Sequence, residues 1–291
     1  MSVQTIAILG AGIMGRGIAY VSAVGGFTTL LQDTSREQLE KAANEVNATL
    51  EKGVATGRLT DADAVTARKR LRTVTSLEEA ARSADLVIEA VPERIELKVE
   101  IFAQLDRVAP AHAILASNTS SLSITEMSAA TKRAPQVVGL HFFNPVHRMK
   151  LLEIVRALET SEHTLELCEE VGRRMGKEFV TVRESPGFVT SRINAMIGNE
   201  AFYMLQEGVA SAADIDKALT LGLNHPMGPF ELVDLVGLDT RLSILRFLHR
   251  TLGEKFRPCP LIEQYVAAGR LGRKSGRGVY DYSPAESTVG S

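Results

Sequence analysis

Apolar and polar positions follow two rhythms over roughly the first 180 residues. Short runs rich in apolar residues at 3–9, 27–32, 71–74, 85–91, 113–116, 137–140, 151–155 and 178–182 read as strands, with 3–9 and 85–91 apolar enough to be buried on both faces. Between them lie stretches of helical spacing at 16–24, 36–55, 61–70, 98–108 and 165–175; in the second of these Leu39, Ala42, Ala43, Val46, Leu50 and Val54 share a face and Gly57 ends it. Strands alternating with helices predict an α/β fold with a doubly wound, largely parallel sheet. The helical pair at 36–70 is longer than one crossover needs, which predicts an excursion projecting from that sheet. At Ser185-Pro186-Gly187-Phe188 the pattern changes. Ser185 can cap a helix, Pro186 suits its first turn, and apolar positions keep helical spacing to about residue 270. Two domains are predicted, residues 1–184 carrying the sheet and 185–291 forming a smaller all-α domain.

The first strand enters Gly10-Ala11-Gly12-Ile13-Met14-Gly15, and the next apolar run closes on Asp33. A strand leading through G-x-G-x-x-G into a helix is what a dinucleotide pyrophosphate requires. The glycines let backbone amides approach the phosphates, and the helix N-terminus supplies partial positive charge. An acidic residue roughly 20 positions further on can accept both ribose hydroxyls of the adenosine and repels a 2′-phosphate, so NAD is expected rather than NADP. A glycine turn alone can be purely structural, and Asp33 or Ser35 could simply cap a helix. The strand before and the strand after the turn favour a Rossmann-like dinucleotide site.

Composition narrows the classes. A formal net charge of −2 offers no basic field for nucleic acid, and no apolar run reaches the length of a membrane span. The two cysteines, Cys168 and Cys259, show no C-x-x-C spacing, so neither a disulfide framework nor a metal site is expected. The dinucleotide strand begins at about the third residue, which leaves no room for a signal peptide and predicts a cytoplasmic protein. The apolar runs 230–236 and 242–252 in the helical part predict surface for a second subunit and hence a homodimer.

Ligands of open parallel sheets bind beyond the carboxyl ends of the strands. Glu93 and Arg94, the polar loop Ser117-Asn118-Thr119-Ser120-Ser121, and His141 all follow or end such strands. An enzyme that oxidises an alcohol with NAD needs a base for the hydroxyl proton as hydride leaves, and imidazole suits that task. Against this stands the bland reading of His141 as a core histidine satisfied by backbone. Glu153 is a carboxylate inside an apolar strand; it either faces solvent or needs a buried partner, for which an imidazolium would serve.

Taken together, the glycine loop, Val87-Ile88-Glu89-Ala90-Val91-Pro92-Glu93, Ser117 to Leu122, Leu140 to Val146, Ser185-Pro186-Gly187-Phe188 and Pro226-Met227-Gly228-Pro229 resemble the L-3-hydroxyacyl-CoA dehydrogenase family, in its bacterial 3-hydroxybutyryl-CoA dehydrogenase type. The resemblance runs from Gly10 to about Tyr282. It implies oxidation of (3S)-3-hydroxyacyl-CoA by NAD to 3-oxoacyl-CoA, with His141 as general base, Glu153 orienting it, and Ser120 and Asn144 in the same pocket. It also implies Glu93, Lys98 and Lys274 on the cofactor side, beside Gly10 to Gly15 and Asp33 on the adenosine half. The helical excursion resembles the family's CoA-binding arm, with Lys52 and Arg58 as candidate phosphate ligands, although Ala55 replaces a lysine common in relatives. Ser191 stands where the family has an Asn toward the thioester, and Asn194 lies three residues on along the same helix.

Two other classes stay open from sequence. One is a dehydrogenase of the same architecture for a sugar acid or a longer or dicarboxylic acyl-CoA. The other is a non-catalytic NAD-binding sensor, which predicts damage to Ser120, His141 or Glu153, yet all three are present. His141 and His147 lack helical zinc spacing, and no G-x-S-x-G occurs, which disfavours metal and serine hydrolases.

Overall fold

Eight strands form one sheet in the order β3-β2-β1-β4-β5-β6-β7-β8, seen in a computed structural model that describes residues 2–282. The strands are β1 (Thr5–Leu9), β2 (Thr28–Gln32), β3 (Leu71–Val74), β4 (Leu86–Glu89), β5 (Ile114–Ser117), β6 (Val137–Phe142), β7 (Leu151–Arg156) and β8 (Glu178–Arg183). Every neighbouring pair is parallel except β6 with β7. The chain leaves β1 toward β2 and β3 on one side, then returns to place β4 on the other. Strand order therefore reverses at β1, which puts the glycine turn at the point where doubly wound sheets bind their ligands. β4, β5 and β6 are buried along their whole length, which is why they read as continuous apolar runs.

Helices cover the sheet. α1 (Ile13–Val24) starts three residues earlier than its spacing predicts, and the five-residue α4 (Leu77–Ala81) was not expected at all; a helix that short carries too few turns to show a periodicity. The predicted excursion is α2 (Arg36–Ala55) and α3 (Asp61–Arg70), opened by Ser35 and by a capping box at Thr60 and Asp63. It lies against α1 rather than standing clear of it. Ala23, Val46, Leu50, Ala64 and Ala67 form a small core of their own, with Tyr20, Val54 and Leu59 around it. The remaining helices of this unit are α5 (Ile95–Val108), α6 (Ile124–Ala129) and α7 (Glu162–Arg174).

The chain divides into two compact units between Ser185 and Pro186, one residue beyond the boundary read at Glu184. The second unit is helical: α8 (Thr190–Gln206), α9 (Ala212–Gly222), α10 (Pro229–Val236), α11 (Leu238–Leu252) and α12 (Pro260–Ala267). Its core gathers Phe202, Phe230, Leu238, Leu245, Leu248, Phe256 and Ile262, with Phe202 edge-on to Phe230 at 5.2 Å. Ser185 and Pro186 do not open a helix as expected. Gly187 and Phe188 take left-handed backbone (φ 74° and 48°), so the helix begins only at Thr190. Among the described residues no helix is long and apolar enough to cross a membrane.

Lys177 fixes the connection between β6 and β7. It sits buried just before β8, and its ammonium donates to the carbonyl oxygens of Val146 and, at 2.7 Å, Met149. Burial pulls its pKa down from 10.5 to about 8. Because the folded value lies below the ordinary one, the unfolded chain binds more protons between these two values, and Lys177 favours folding more as pH rises through about 8 toward 10.5. Lys177→Met leaves both carbonyls without their donor and is expected to cost about 1–3 kcal/mol. In urea denaturation, the gap between wild type and variant should widen from pH 7 to pH 10; a gap that narrows contradicts the assigned role.

Candidate active site

The antiparallel register sets His141 of β6 directly opposite Glu153 of β7. The imidazole Nδ1 lies 2.7 Å from Glu153 Oε2, with the carboxylate fully buried and the ring nearly so. An ionised carboxylate can only accept, so Nδ1 donates and the lone pair is left on Nε2. Glu153 thus has the buried partner that its place in an apolar strand requires, and the solvent-facing reading of it fails. The Phe143 ring lies against the imidazole, tilted at 51° with the centroids 4.4 Å apart.

A second buried ionic cluster sits at the ends of β4 and β5. Glu89 accepts from Lys98 Nζ (2.6 Å), from Ser117 Oγ (2.6 Å) and from the Val91 amide (2.7 Å). Lys98 is 1% exposed, not a solvated helix cation, and it also reaches Glu93 Oε2 at 3.2 Å. Glu93 in turn accepts from Thr119 Oγ1 and from the Ser120 amide (3.2 Å). The loop that carries Ser120 therefore hangs from Glu93, and Glu93 is steadied from below by Lys98. Neither Glu89 nor Asn118 stood out as a site residue in the sequence. Asn118 accepts from the Phe142 amide at 2.9 Å, which ties the end of β5 to the strand carrying His141. For Glu89 a signal existed: it is a carboxylate inside an apolar strand, like Glu153.

The glycine turn is shaped as its motif predicts. Gly10 has φ 94°, and a Cβ there would stand 2.7 Å from the Ala90 carbonyl oxygen; one on Gly15 would stand 1.7 Å from that of Gly10. Around a Cβ placed on Gly12 there is open space, and no side chain caps α1. Open ground beside an uncapped helix N-terminus fits a pyrophosphate. Asp33 accepts from the amides of Ala11 (2.9 Å) and Ser35 (3.0 Å), so it is held at the turn, while Ser35 rather than Asp33 caps α2. These residues fit the adenosine half of NAD.

A groove of about 340 Å³ runs between α1, α2 and the β6–β7 connection, lined among others by Ile13, Tyr20, Thr49, Asn144 and His147. Asn144 is exposed there, next to the end of β6. His147 meets Tyr20 edge-on at 5.9 Å. Its pKa is pushed down, first by burial and then by the charges of Arg148, Arg58, Lys177 and Lys52. Lys52 and Arg58 thus belong to a larger cationic cluster on this unit. Arg148 and His147 were missed in the sequence because they come from a different connection.

In the second unit Ser191 and Asn194 lie half-buried on the first turns of α8, three residues apart on one face. Lys274 pairs with Asp239 at 2.6 Å beside Gly237. These three residues are placed within the second unit, and Gly10 to Gly15, Asp33, Lys52, Arg58, Glu93, Lys98, Ser120, His141, Asn144 and Glu153 within the first.

Residues 5–185 match the model of the 3-hydroxyacyl-CoA dehydrogenase NAD-binding domain, and residues 187–282 match that of the 3-hydroxyacyl-CoA dehydrogenase C-terminal domain. The chain is 47% identical to the probable 3-hydroxybutyryl-CoA dehydrogenase of Bacillus subtilis, over 97% of this chain and 98% of that protein. It is 42% identical to the 3-hydroxybutyryl-CoA dehydrogenase of Bradyrhizobium diazoefficiens, over 98% and 97%. Among solved structures, (S)-3-hydroxybutyryl-CoA dehydrogenase PaaH1 from Ralstonia eutropha superposes with a TM-score of 0.94 at 44% identity, over 97% of this chain and all of that one. The chain belongs to the 3-hydroxyacyl-CoA dehydrogenase family of NAD-dependent oxidoreductases.

Proposed function

We propose that this protein oxidises (3S)-3-hydroxybutyryl-CoA reversibly to acetoacetyl-CoA, with His141 as general base and Glu153 as the group that orients it. The observation that carries the reading is the buried 2.7 Å contact between His141 Nδ1 and Glu153 Oε2. With Nδ1 committed to the carboxylate, Nε2 takes the proton of the 3-hydroxyl, and Glu153 stabilises the imidazolium that results. Bound NAD supplies the acceptor for the hydride from C3. Ser120 donates to the forming carbonyl oxygen, and Asn144 lines the same pocket. Gly10, Ala11, Gly12, Ile13, Met14, Gly15 and Asp33 hold the adenosine and pyrophosphate, while Glu93, Lys98 and Lys274 serve the nicotinamide side.

Acyl-CoA carries phosphates at the far end from the reacting carbon, and fixed cations suit them. Lys52 and Arg58, joined by Arg148, would receive them beside the groove that Asn144 and His147 line. Ser191 or Asn194 would donate to the thioester carbonyl, and the second unit would bind the acyl end. Exposed Leu221, Leu223, Leu235 and Val236 on that unit support a homodimer. A cytoplasmic location completes this reading.

The direct test is NADH consumption with 3-oxoacyl-CoA substrates from C4 to C16; the C4 thioester is expected to react best, and no oxidation with any of them overturns the assignment. His141→Gln should lower kcat about 10²- to 10⁴-fold. Glu153→Gln can offer a donor to Nδ1 and so favours the wrong tautomer; kcat should fall at least about tenfold with little change in KM. Unchanged turnover in His141→Gln refutes the base. The double variant Lys52→Ala/Arg58→Ala should raise KM for acetoacetyl-CoA about threefold to thirtyfold. Its KM for a thioester truncated before the phosphates should match that of wild type, and equal effects on both substrates would remove the phosphate role.

A further inference from the structure

The ionic cluster at the end of β4 does not balance. Glu89 and Lys98 are both fully buried, 2.6 Å apart, and cancel each other. Glu93, with its side chain 41% exposed, adds a second carboxylate to the same ammonium at 3.2 Å. Two carboxylates and one ammonium leave one net negative charge, and it resides on the only member that reaches solvent. Arg94, the next residue, is exposed and forms no ion pair among the described residues.

Sheet order indicates what that charge faces. Asp33 follows β2, on one side of the switch point at β1; Glu93 and Ser120 follow β4 and β5 on the other, with His141 one strand further on. A dinucleotide whose adenosine ribose is held at Asp33 and whose pyrophosphate lies at Gly12 extends its nicotinamide half over β4 and β5. This placement rests on the function proposed above.

The reaction moves charge between two places. As the 3-hydroxyl is oxidised, the C3–H electron pair passes to the nicotinamide, the O–H proton passes to His141 Nε2, and the C3–O bond becomes a carbonyl. The total charge of the site is unchanged, since one positive charge leaves the nicotinamide ring and one appears on the imidazole. Glu153 stabilises it on the imidazole, 2.7 Å away.

We infer that the Glu89–Lys98–Glu93 cluster is a counterweight to Glu153: its net negative charge, presented by Glu93, selects the oxidised over the reduced cofactor and draws the on-enzyme equilibrium toward the hydroxy substrate. Glu93 is here a specificity-determining residue for the redox state of the ligand. Lys98 and Glu89 act through it. Lys98 sets how much of its charge remains, and Glu89 holds Lys98 in place.

Binding of each nucleotide alone, without acyl substrate, reads the effect. Dissociation constants for NAD⁺ and NADH are measured by titration calorimetry with wild type, Glu93→Gln and Thr119→Val. Gln keeps the oxygen that accepts from Thr119 and Ser120, while its amide nitrogen replaces the oxygen that faces Lys98, so the charge and that one contact are removed and the loop's anchor is kept. Glu93→Gln is expected to weaken NAD⁺ about threefold to tenfold and to change NADH less than about twofold, with the wild-type preference shrinking at high salt. Thr119→Val loosens the loop and keeps the charge; it should move both nucleotides by the same factor. Equal weakening of both in Glu93→Gln overturns the inference, as does a Thr119→Val variant that shifts the ratio just as far. A wild type that binds neither nucleotide overturns the cofactor placement itself, a failure distinct from an unchanged ratio in a variant that binds both.

Discussion

The antiparallel pairing of β6 with β7 is the constraint on which the site depends. In a wholly parallel sheet, His141 and Glu153 could not face one another within twelve residues, because a parallel neighbour needs a long crossover. Reversing direction once, through a short connection, brings the two side chains to opposing positions in the ladder. The same reversal leaves the connection itself on the surface, where Asn144 and His147 line the groove and the charge of Arg148 acts on His147. Lys177 then has a definite task, since a short surface connection with buried carbonyls needs a donor, and Lys177 supplies it from the turn that leads into β8. The base, its orienting acid and one wall of the groove all follow from one hairpin.

Burying charge is the second theme, and its cost explains the geometry around it. A carboxylate taken out of water is tolerated only with partners for its lone pairs. Glu89 has three donors, and Glu153 has the imidazole. In the helical unit Asp234 accepts from the amides of Val279 and Tyr280 and from the Tyr282 hydroxyl, while Asp216 takes the amides of Phe230 and Glu231 and the Tyr280 hydroxyl. Their places differ. Asp216 and Asp234 fasten residues 279–282 to the helices, whereas Glu89 closes β4 and Glu153 sits inside β7 opposite His141.

Much of this was legible in the chain. Continuous apolar runs gave the central strands, because a sheet covered on both faces leaves no polar alternation there, and the glycine spacing could be read because sterics at Gly10 and Gly15 admit no Cβ. His141 and Glu153 stood out for the same reason, as polar groups in apolar strands, and their pairing was expected because a buried carboxylate needs a partner. The antiparallel direction that sets them opposite each other was not, since strand direction is set by how β6, β7 and β8 stack and leaves no mark in local spacing. The burial of Lys98 left no mark in the local spacing, because periodicity reports the face a residue occupies, whereas its partner Glu89 lies on another element. The start of α8 was misplaced because Pro186 is compatible with a helix N-terminus. The left-handed backbone at Gly187 and Phe188 overrides that preference.

The two buried clusters gain meaning when considered as one electrostatic system. A dehydrogenase that removes hydride from a carbon and a proton from the hydroxyl on it relocates a single positive charge across its site. A carboxylate at one end alone would trap that charge and slow the return reaction, whereas carboxylates at both ends keep the two states closer in energy and allow traffic both ways. Geometry tells the two ends apart. Glu153 is sealed behind the imidazole with no access to water, so its influence is strong and insensitive to salt. Glu93 is half in solvent and partly neutralised by Lys98, so its influence is weaker and screened. A buried acid behind the base and a tempered acid at the cofactor end form an uneven pair, and the unevenness favours the imidazolium, which forms only while the substrate is in its oxo form.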